Sequence, residues 1–335
     1  MINPSFNNKN EDSGLEQTLR PARWDDYVGQ EPIKKNLKIL MQAAHERNEA
    51  LEHILLHGPA GLGKTSLAHL IAKEMSSQIK ITSGPAIERV GDLASILTNL
   101  SDGDVLFIDE VHRLNKTIEE VLYPAMESGN LDIIIGKGPG ARSIQIDLPP
   151  FTLIAATTRI ALLSNPLRSR FSGGTFKLDY YSTDELIKII KRSAEILKTE
   201  VAAGAAELIA LRSRFTPRIA NRLLKRARDY AQVHKISTIN ENAVTKTLEL
   251  LGIDHKGLEE TDRQILKVLI NKFSGGPVGL NTLAAATSED PATVEEVYEP
   301  FLLRLGFIER TPRGRMATPS AYKHLDIKAP QAKLI

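Results

Sequence analysis

None of the 335 residues is a cysteine, and only one is a tryptophan. Without thiols the chain forms neither a disulfide framework nor a thiolate-held metal site, and nothing ties it to an oxidising compartment. An excess of charge of one sign is also missing. The 43 lysines and arginines face 41 acids for a formal net of +2, so global electrostatics names no partner. No run approaches the ~18 apolar residues of a membrane span, and the opening "MINPSFNNKNEDSGLEQT" lacks an apolar signal core. The expectation is a cytoplasmic chain with no membrane partner, whose residues 1–18 form a flexible arm. What is present is 42% apolar residues, enough for ordinary buried cores, in a length that suggests two or three domains at roughly 150 residues each.

Short β-branched runs ("HILLHG", "IKITS", "DVLFIDE", "FTLIAATT", "TFKLDY") alternate with helical patterns as far as residue 181. That alternation predicts an α/β domain over 19–181 with a mostly parallel sheet. From 182 to 255 the strands vanish and the pattern is helical throughout, opening on "TDELIKIIKRSAEIL" behind a Thr183 cap. The last part, 256–335, shows three helical patterns and then two short strands around "PRGR", a winged-helix arrangement.

The stretch "GPAGLGKT" at 58–65 satisfies G-x-x-x-x-G-K-[ST] between a strand and a helix. Gly61 and Gly63 let backbone N–H groups wrap a polyphosphate, and the helix dipole adds to the pull. Lys64 reaches the β- and γ-phosphates, the Thr65 hydroxyl sits on Mg²⁺, and Ser66 completes the cradle. The partner motif is "DVLFIDE" at 104–110, in which Asp109 can bind Mg²⁺ and Glu110 can orient the attacking water. These carboxylates make hydrolysis, not binding alone, the expected chemistry.

Further along, "FTLIAATT" ends in Thr157 and Thr158, either of which could touch the γ-phosphate or cap the next turn. "NPLRSRF" follows with Arg168 and Arg170, placed to serve a neighbouring subunit's transition state. In "FTPRIANRLL" Thr216 caps a helix with Pro217 in its first turn, which puts Arg218 at the anion-binding end. Residues 212–235 carry eight basic side chains and one acid.

Taken together, "GPAGLGKTSLA", "VLFIDEVHRLNKTIEEVLYPAME", "LDIIIGKGPGARSIQIDLPPFTLIAATTR" and "TPRIANRLL" resemble the AAA+ ATPases, and within them the motors that drive branch migration of Holliday junctions. The resemblance runs from Leu19 to Thr318. It implies an AAA+ P-loop domain, a helical lid and a winged helix, assembled as a homo-hexameric ring that uses ATP and Mg²⁺ to pump double-stranded DNA at four-way junctions. It further implies that Leu19, Arg20, Glu127, Ser128, Gly129 and Tyr181 contact nucleotide, that Arg218 senses it within the subunit, and that Arg170 is a finger given to the next one. A head-to-tail contact of that kind closes as a ring. One segment departs from the family: "SGGTFKLDYY" carries an extra residue after Phe171.

The alternating runs flanking residues 136–141 read as a β-hairpin, either an exposed apolar finger or a core hairpin. By resemblance it is the arm for RuvA, the junction-recognising partner, through Ile133, Ile135 and Ile144; the RuvC resolvase is a further companion. In the wing, Arg310, Arg313 and Arg315 suit a phosphate backbone and bring no base-reading side chains. The alternative function is an AAA+ loader or switch that uses ATP on DNA without travelling; against it stands the absence of a helical collar pattern.

Overall fold

A computed structural model describes residues 17–135 and 142–328; residues 1–16 of the expected N-terminal arm and the hairpin tip lie outside them. Two compact units divide between Tyr180 and Tyr181. The first holds helix α1 (Glu31–Arg47), strand β1 (Ile54–His57), α2 (Lys64–Glu74), β2 (Ile79–Ser83), α3 (Val90–Thr98), β3 (Val105–Asp109) and α4 (Lys116–Glu127). It continues with β4 (Asn130–Ile135), β5 (Arg142–Asp147), β6 (Thr152–Thr157), α5 (Asn165–Ser169) and β7 (Gly174–Lys177).

Five strands form one sheet in the order β2-β3-β6-β1-β7, and every pairing is parallel. Parallel strands put all their carboxyl ends on one edge. Because β6 lies between β3 and β1, Thr157 stands beside His57 in register, while Ile108 stands beside Ala155. Central strands β1, β3 and β6 are continuous apolar runs because both faces are covered. On one face, Leu55, Leu106, Ile108, Leu153 and Ala155 join Leu93, Leu97, Ile118 and Leu122 of the helices in a single core. At ~25 cal/mol per Å², such full burial of a leucine contributes about 2 kcal/mol each.

The hairpin β4/β5 is antiparallel and separate from the main sheet, with Ile133 opposite Ile144 and Ile135 opposite Arg142. Its base is core, with Leu131 fully buried and Ile146 packed against the same cluster, whereas Ile144 is 44% exposed. The pattern therefore changes from anchor to open surface along the arm.

In the second unit come α6 (Thr183–Ile196), β8 (Glu200–Val201), α7 (Ala203–Arg212), α8 (Pro217–Val233), β9 (Thr238–Ile239) and α9 (Glu241–Leu250). Two sequence expectations need correction here. Strands do not vanish, since β8 and β9 make a two-residue parallel pair, too short to leave a periodic signal. The cap of α6 is Ser182, not Thr183: its Oγ accepts from Glu185 N at 3.3 Å while Glu185 Oε2 accepts from Ser182 N at 2.7 Å. That reciprocal box needs a hydroxyl three residues before the glutamate, and only Ser182 qualifies.

The winged helix contains α10 (Glu260–Asn271), α11 (Leu280–Thr287) and a third helix whose π-helical stretch Val294–Tyr298 runs into α12 (Glu299–Arg304). Strands β10 (Ile308–Thr311) and β11 (Gly314–Ala317) then form an antiparallel wing. Leu266, Leu269, Leu283, Phe301, Leu302 and Phe307 fill its core. Among the described residues, no helix is long and apolar enough to cross a membrane.

Candidate active site

The phosphate loop follows β1 and ends at Lys64, the first residue of α2. Gly58, Gly61 and Gly63 all have positive φ, a region that side chains with a Cβ rarely adopt. At Gly58 a Cβ would stand 2.6 Å from Leu178 O, so the loop can start this close to the neighbouring chain only as glycine. The Lys64 side chain is 7% exposed, and its Nζ donates to Gly58 O at 2.7 Å and Pro59 O at 3.0 Å. The ammonium is thus held over the loop that carries it. Thr65 and Ser66 follow on the first turn, half-buried. His57 stays neutral near neutral pH, because burial, aided by Lys177 and Lys64, holds its imidazole below the ordinary value.

Asp109 closes β3, and Glu110 follows in the left-handed region at φ 48°. The loop at Gly84 permits this, since a Cβ there would meet Glu110 O at 2.4 Å. Asp109 Oδ1 accepts from Glu110 N at 3.0 Å. Glu110 Oε2 accepts from Thr158 Oγ1 at 3.1 Å and from Thr158 N at 3.4 Å, and lies 3.2 Å from His112 Nδ1.

The structure separates the two threonines. Thr157 is fully buried, with its hydroxyl 2.9 Å from His112 Nδ1 and accepting from Arg159 N at 3.0 Å; Thr158 is half-buried and turned to the glutamate. His112 was not singled out by sequence reasoning. A lone histidine two residues beyond an acid carries no spacing signal, and only the fold brings it to Thr157.

Leu19 is buried, and Arg20 is half-buried with Nη1 3.1 Å from His69 Nε2. Arg170 sits elsewhere in the same unit. Its Nη2 is 3.1 Å from Glu127 Oε1, its Nη1 donates to Pro166 O at 2.7 Å, and its guanidinium lies 4.3 Å over the Tyr123 ring. Ser128 caps the C-terminus of α4, donating through Oγ to Pro124 O at 3.0 Å, and Gly129 turns into β4 at φ 68°. Glu127, Ser128, Gly129 and Arg170 therefore gather around one helix end.

Tyr181 and Arg218 belong to the second unit. Tyr181 is buried and its N donates to Phe215 O at 3.1 Å. Thr216 is the N-cap residue of α8, yet its hydroxyl donates to Ser213 O at 3.2 Å instead of capping; Arg218 is exposed in the first turn.

The wing arginines divide. Arg310 and Arg315 stand opposite each other across β10/β11, and both bind Glu299, which is 1% exposed. Arg310 donates through Nε to Glu299 Oε1; Arg315 donates from Nε and Nη2, each at 3.0 Å. Burial pushes the Glu299 carboxyl up, but the hydrogen bonds and charges of the two arginines outweigh it and hold the group below its usual range. Arg313, at the turn, is exposed. Ile144 is exposed on the hairpin, whereas the side chains of Ile133 and Ile135 lie outside the described residues.

Three family models match in order along the chain. They are a Holliday junction DNA helicase RuvB P-loop domain over residues 19–177, a RuvB AAA lid domain over 181–254 and a RuvB C-terminal winged helix domain over 255–326. Among solved structures, the Thermotoga maritima RuvB Holliday junction branch migration motor is 53% identical, with a TM-score of 0.86 over 94% of this chain and 100% of that one. A substituted form of the same Thermotoga maritima protein is 52% identical, with a TM-score of 0.87 over 93% and 99%. The phosphate loop, the paired acids at the sheet edge and this continuous likeness lead to one conclusion: the chain belongs to the RuvB family of Holliday junction DNA helicases, ATP-dependent motors of branch migration.

Proposed function

We propose that the motor works as a homo-hexameric ring in which each ATP is cleaved between two subunits. The observation that carries this reading is a division of labour within one unit. Lys64, Asp109, Glu110 and Thr158 come from strand ends or the loops that follow them on one edge of the sheet, while Arg170 is held, among the described residues, by Glu127, Tyr123 and Pro166, none of them in the phosphate loop. An arginine so placed serves the next subunit's site, with Glu127, Ser128 and Gly129 on the same face.

Within a subunit, Gly61, Gly63, Lys64, Thr65 and Ser66 hold the phosphates, Leu19, Arg20 and Tyr181 line the nucleoside side, and Arg218 reports the nucleotide from the lid. The hydroxyl of Thr65 and the carboxylate of Asp109 are hard oxygen donors that fit Mg²⁺, which supplies charge neutralisation on the phosphates when bound. Glu110 is the base. One of its carboxylate oxygens, Oε2, accepts from the Thr158 hydroxyl, and a Thr158 hydroxyl that turns to the γ-phosphate leaves that oxygen more open to a proton from water.

The arm carrying Ile133, Ile135 and Ile144 binds RuvA, and the wing follows the phosphates of double-stranded DNA, with Arg313 making the outermost contact and Arg310 and Arg315 set behind it. RuvC is a further companion, with no surface assigned to it. A cytoplasmic setting fits a DNA substrate.

The test is a synthetic four-way junction with ATP and Mg²⁺, with and without RuvA, scored for conversion to two duplexes. Conversion that disappears in Lys64→Ala supports the reading. Turnover and DNA binding without conversion, even with RuvA present, would overturn it.

A further inference from the structure

Helix α4 presents Glu119, Tyr123 and Glu127 at i, i+4 and i+8, one stripe on one face. Against that stripe lies the short helix α5, which ends at the arginine finger. Glu119 is 7% exposed and accepts from Ser164 Oγ at 2.7 Å and from Tyr123 OH at 3.1 Å, and the two hydroxyls are themselves 3.0 Å apart. Ser164 is also the N-cap of α5, accepting from Leu167 N at 3.3 Å. Helix α5 is thus fastened to α4 at its beginning through Ser164 and at its end through Arg170.

The contacts of Arg170 are unequal. Its ion pair is with Glu127, whose side chain is 60% exposed, and an exposed pair of this kind contributes ~0–1 kcal/mol and exchanges readily. The Tyr123 ring, 4.3 Å below the guanidinium, is fixed by its hydroxyl and cannot exchange. A ring face restrains the guanidinium plane without using its N–H donors, which lie in that plane and stay directed at an anion. Burial pushes the Tyr123 phenol up, so it remains a donor to Glu119 throughout the neutral range.

We propose that Tyr123, anchored by Glu119 and Ser164, is a positioning residue for trans hydrolysis: it sets the plane of Arg170, and Glu127 keeps the guanidinium until the neighbour's γ-phosphate takes its place. The inference rests on the reading of Arg170 as the finger.

The experiment measures kcat, ATP KM, ring assembly and thermal midpoint for full-length Tyr123→Leu, Tyr123→Phe, Arg170→Ala and the Tyr123→Leu/Arg170→Ala double variant. Tyr123→Leu is expected to lose about 10-fold in kcat with KM and assembly unchanged, in keeping with a partly desolvated cation–π contact. Tyr123→Phe keeps the ring face but loses the hydroxyl that anchors it, so its kcat falls between those of wild type and Tyr123→Leu, and the double variant is no slower than Arg170→Ala. Tyr123→Met, which fills more of the volume without a π face, substitutes if the leucine variant does not fold. Wild-type kcat in the leucine or methionine variant, failure of phenylalanine to rescue, or an additive loss in the double variant overturns the proposal. Normal turnover in Arg170→Ala instead overturns the finger reading beneath it.

Discussion

Replacing Glu299 with alanine isolates one of the interactions that tie the wing to the rest of the winged helix, beside backbone hydrogen bonds to Val278 and Gly275. The carboxylate is almost fully buried and accepts three hydrogen bonds from two arginines, one of them bidentate. Deleting one member of a buried ion pair costs about 3–5 kcal/mol, because its partner is left charged in a dry site. Arg310, with its side chain 51% exposed, can turn to water, but Arg315 is 15% exposed and cannot. The expected loss is therefore near the lower bound, about 3 kcal/mol, read as a lower urea midpoint at unchanged m. Acid titration gives a second arm. The folded pKa of Glu299 lies below its unfolded value, so its contribution is full above the ordinary carboxylate range and fades as pH falls through the depressed folded value. Wild type should lose stability there relative to Glu299→Gln, and the difference between the two should narrow. A urea midpoint that moves by less than about 1 kcal/mol in Glu299→Ala would refute the argument, as would a gap to Glu299→Gln that stays constant into acid.

Arg313→Ala should lower the slope of log affinity against log salt by about one phosphate contact on duplex DNA and leave the thermal midpoint alone, whereas Arg315→Ala should move the midpoint first; measuring both by salt titration and melting separates the roles. Asp262 is fully buried against Arg214, and burial pushes its pKa up to about 6. A carboxylate raised this way penalises the folded state above that pH, so wild type should gain urea resistance relative to Asp262→Asn as pH falls from 7 to 5; a flat difference contradicts the assignment. Glu110→Gln should hold ATP and fail to release phosphate, and Lys64→Ala should lose binding or turnover, both checked by filter retention of labelled nucleotide.

The strands of the main sheet could be read from the chain because each is a short β-branched run between breakers, and the phosphate loop because its glycines sit where only positive φ works. The choice between Thr157 and Thr158 could not be read. All six residues of β6 are buried, so alternation gives no parity, and which neighbour each hydroxyl meets depends on His112 and Glu110 arriving from another strand's end. The wing contained a partial signal. Arg310 and Arg315 are directly opposed across a two-residue turn, and like charges in that relation need an acid between them. The acid, Glu299, precedes the wing on the third helix and no local pattern connects it. Nothing in the sequence marks the stripe at 119, 123 and 127 as functional, because its target, Arg170, follows a different helix.

The junction between lid and winged helix follows an energetic logic of its own. Arg214 and Phe215, between α7 and α8, are consecutive non-glycine residues in the left-handed region, at φ 53° and 59°, a conformation that costs about 1–2 kcal/mol each. They are held there from the other domain. Arg214 binds Asp262 of α10 at 2.8 Å and lies 4.3 Å over the Phe301 ring, while Arg304 lies 4.5 Å over the Phe215 ring. A buried ion pair rarely out-stabilises a hydrophobic replacement, so stability alone does not account for this arrangement. What the contacts give is a single geometry. Phe215 O also accepts from Tyr181 N, and the next residues, Thr216 to Arg218, start α8. The winged helix and the start of α8, with Arg218 in its first turn, are therefore fixed to one knuckle of backbone. Arg218 is thus joined to the winged helix by packed side chains and a buried ion pair as well as by the backbone between the two domains.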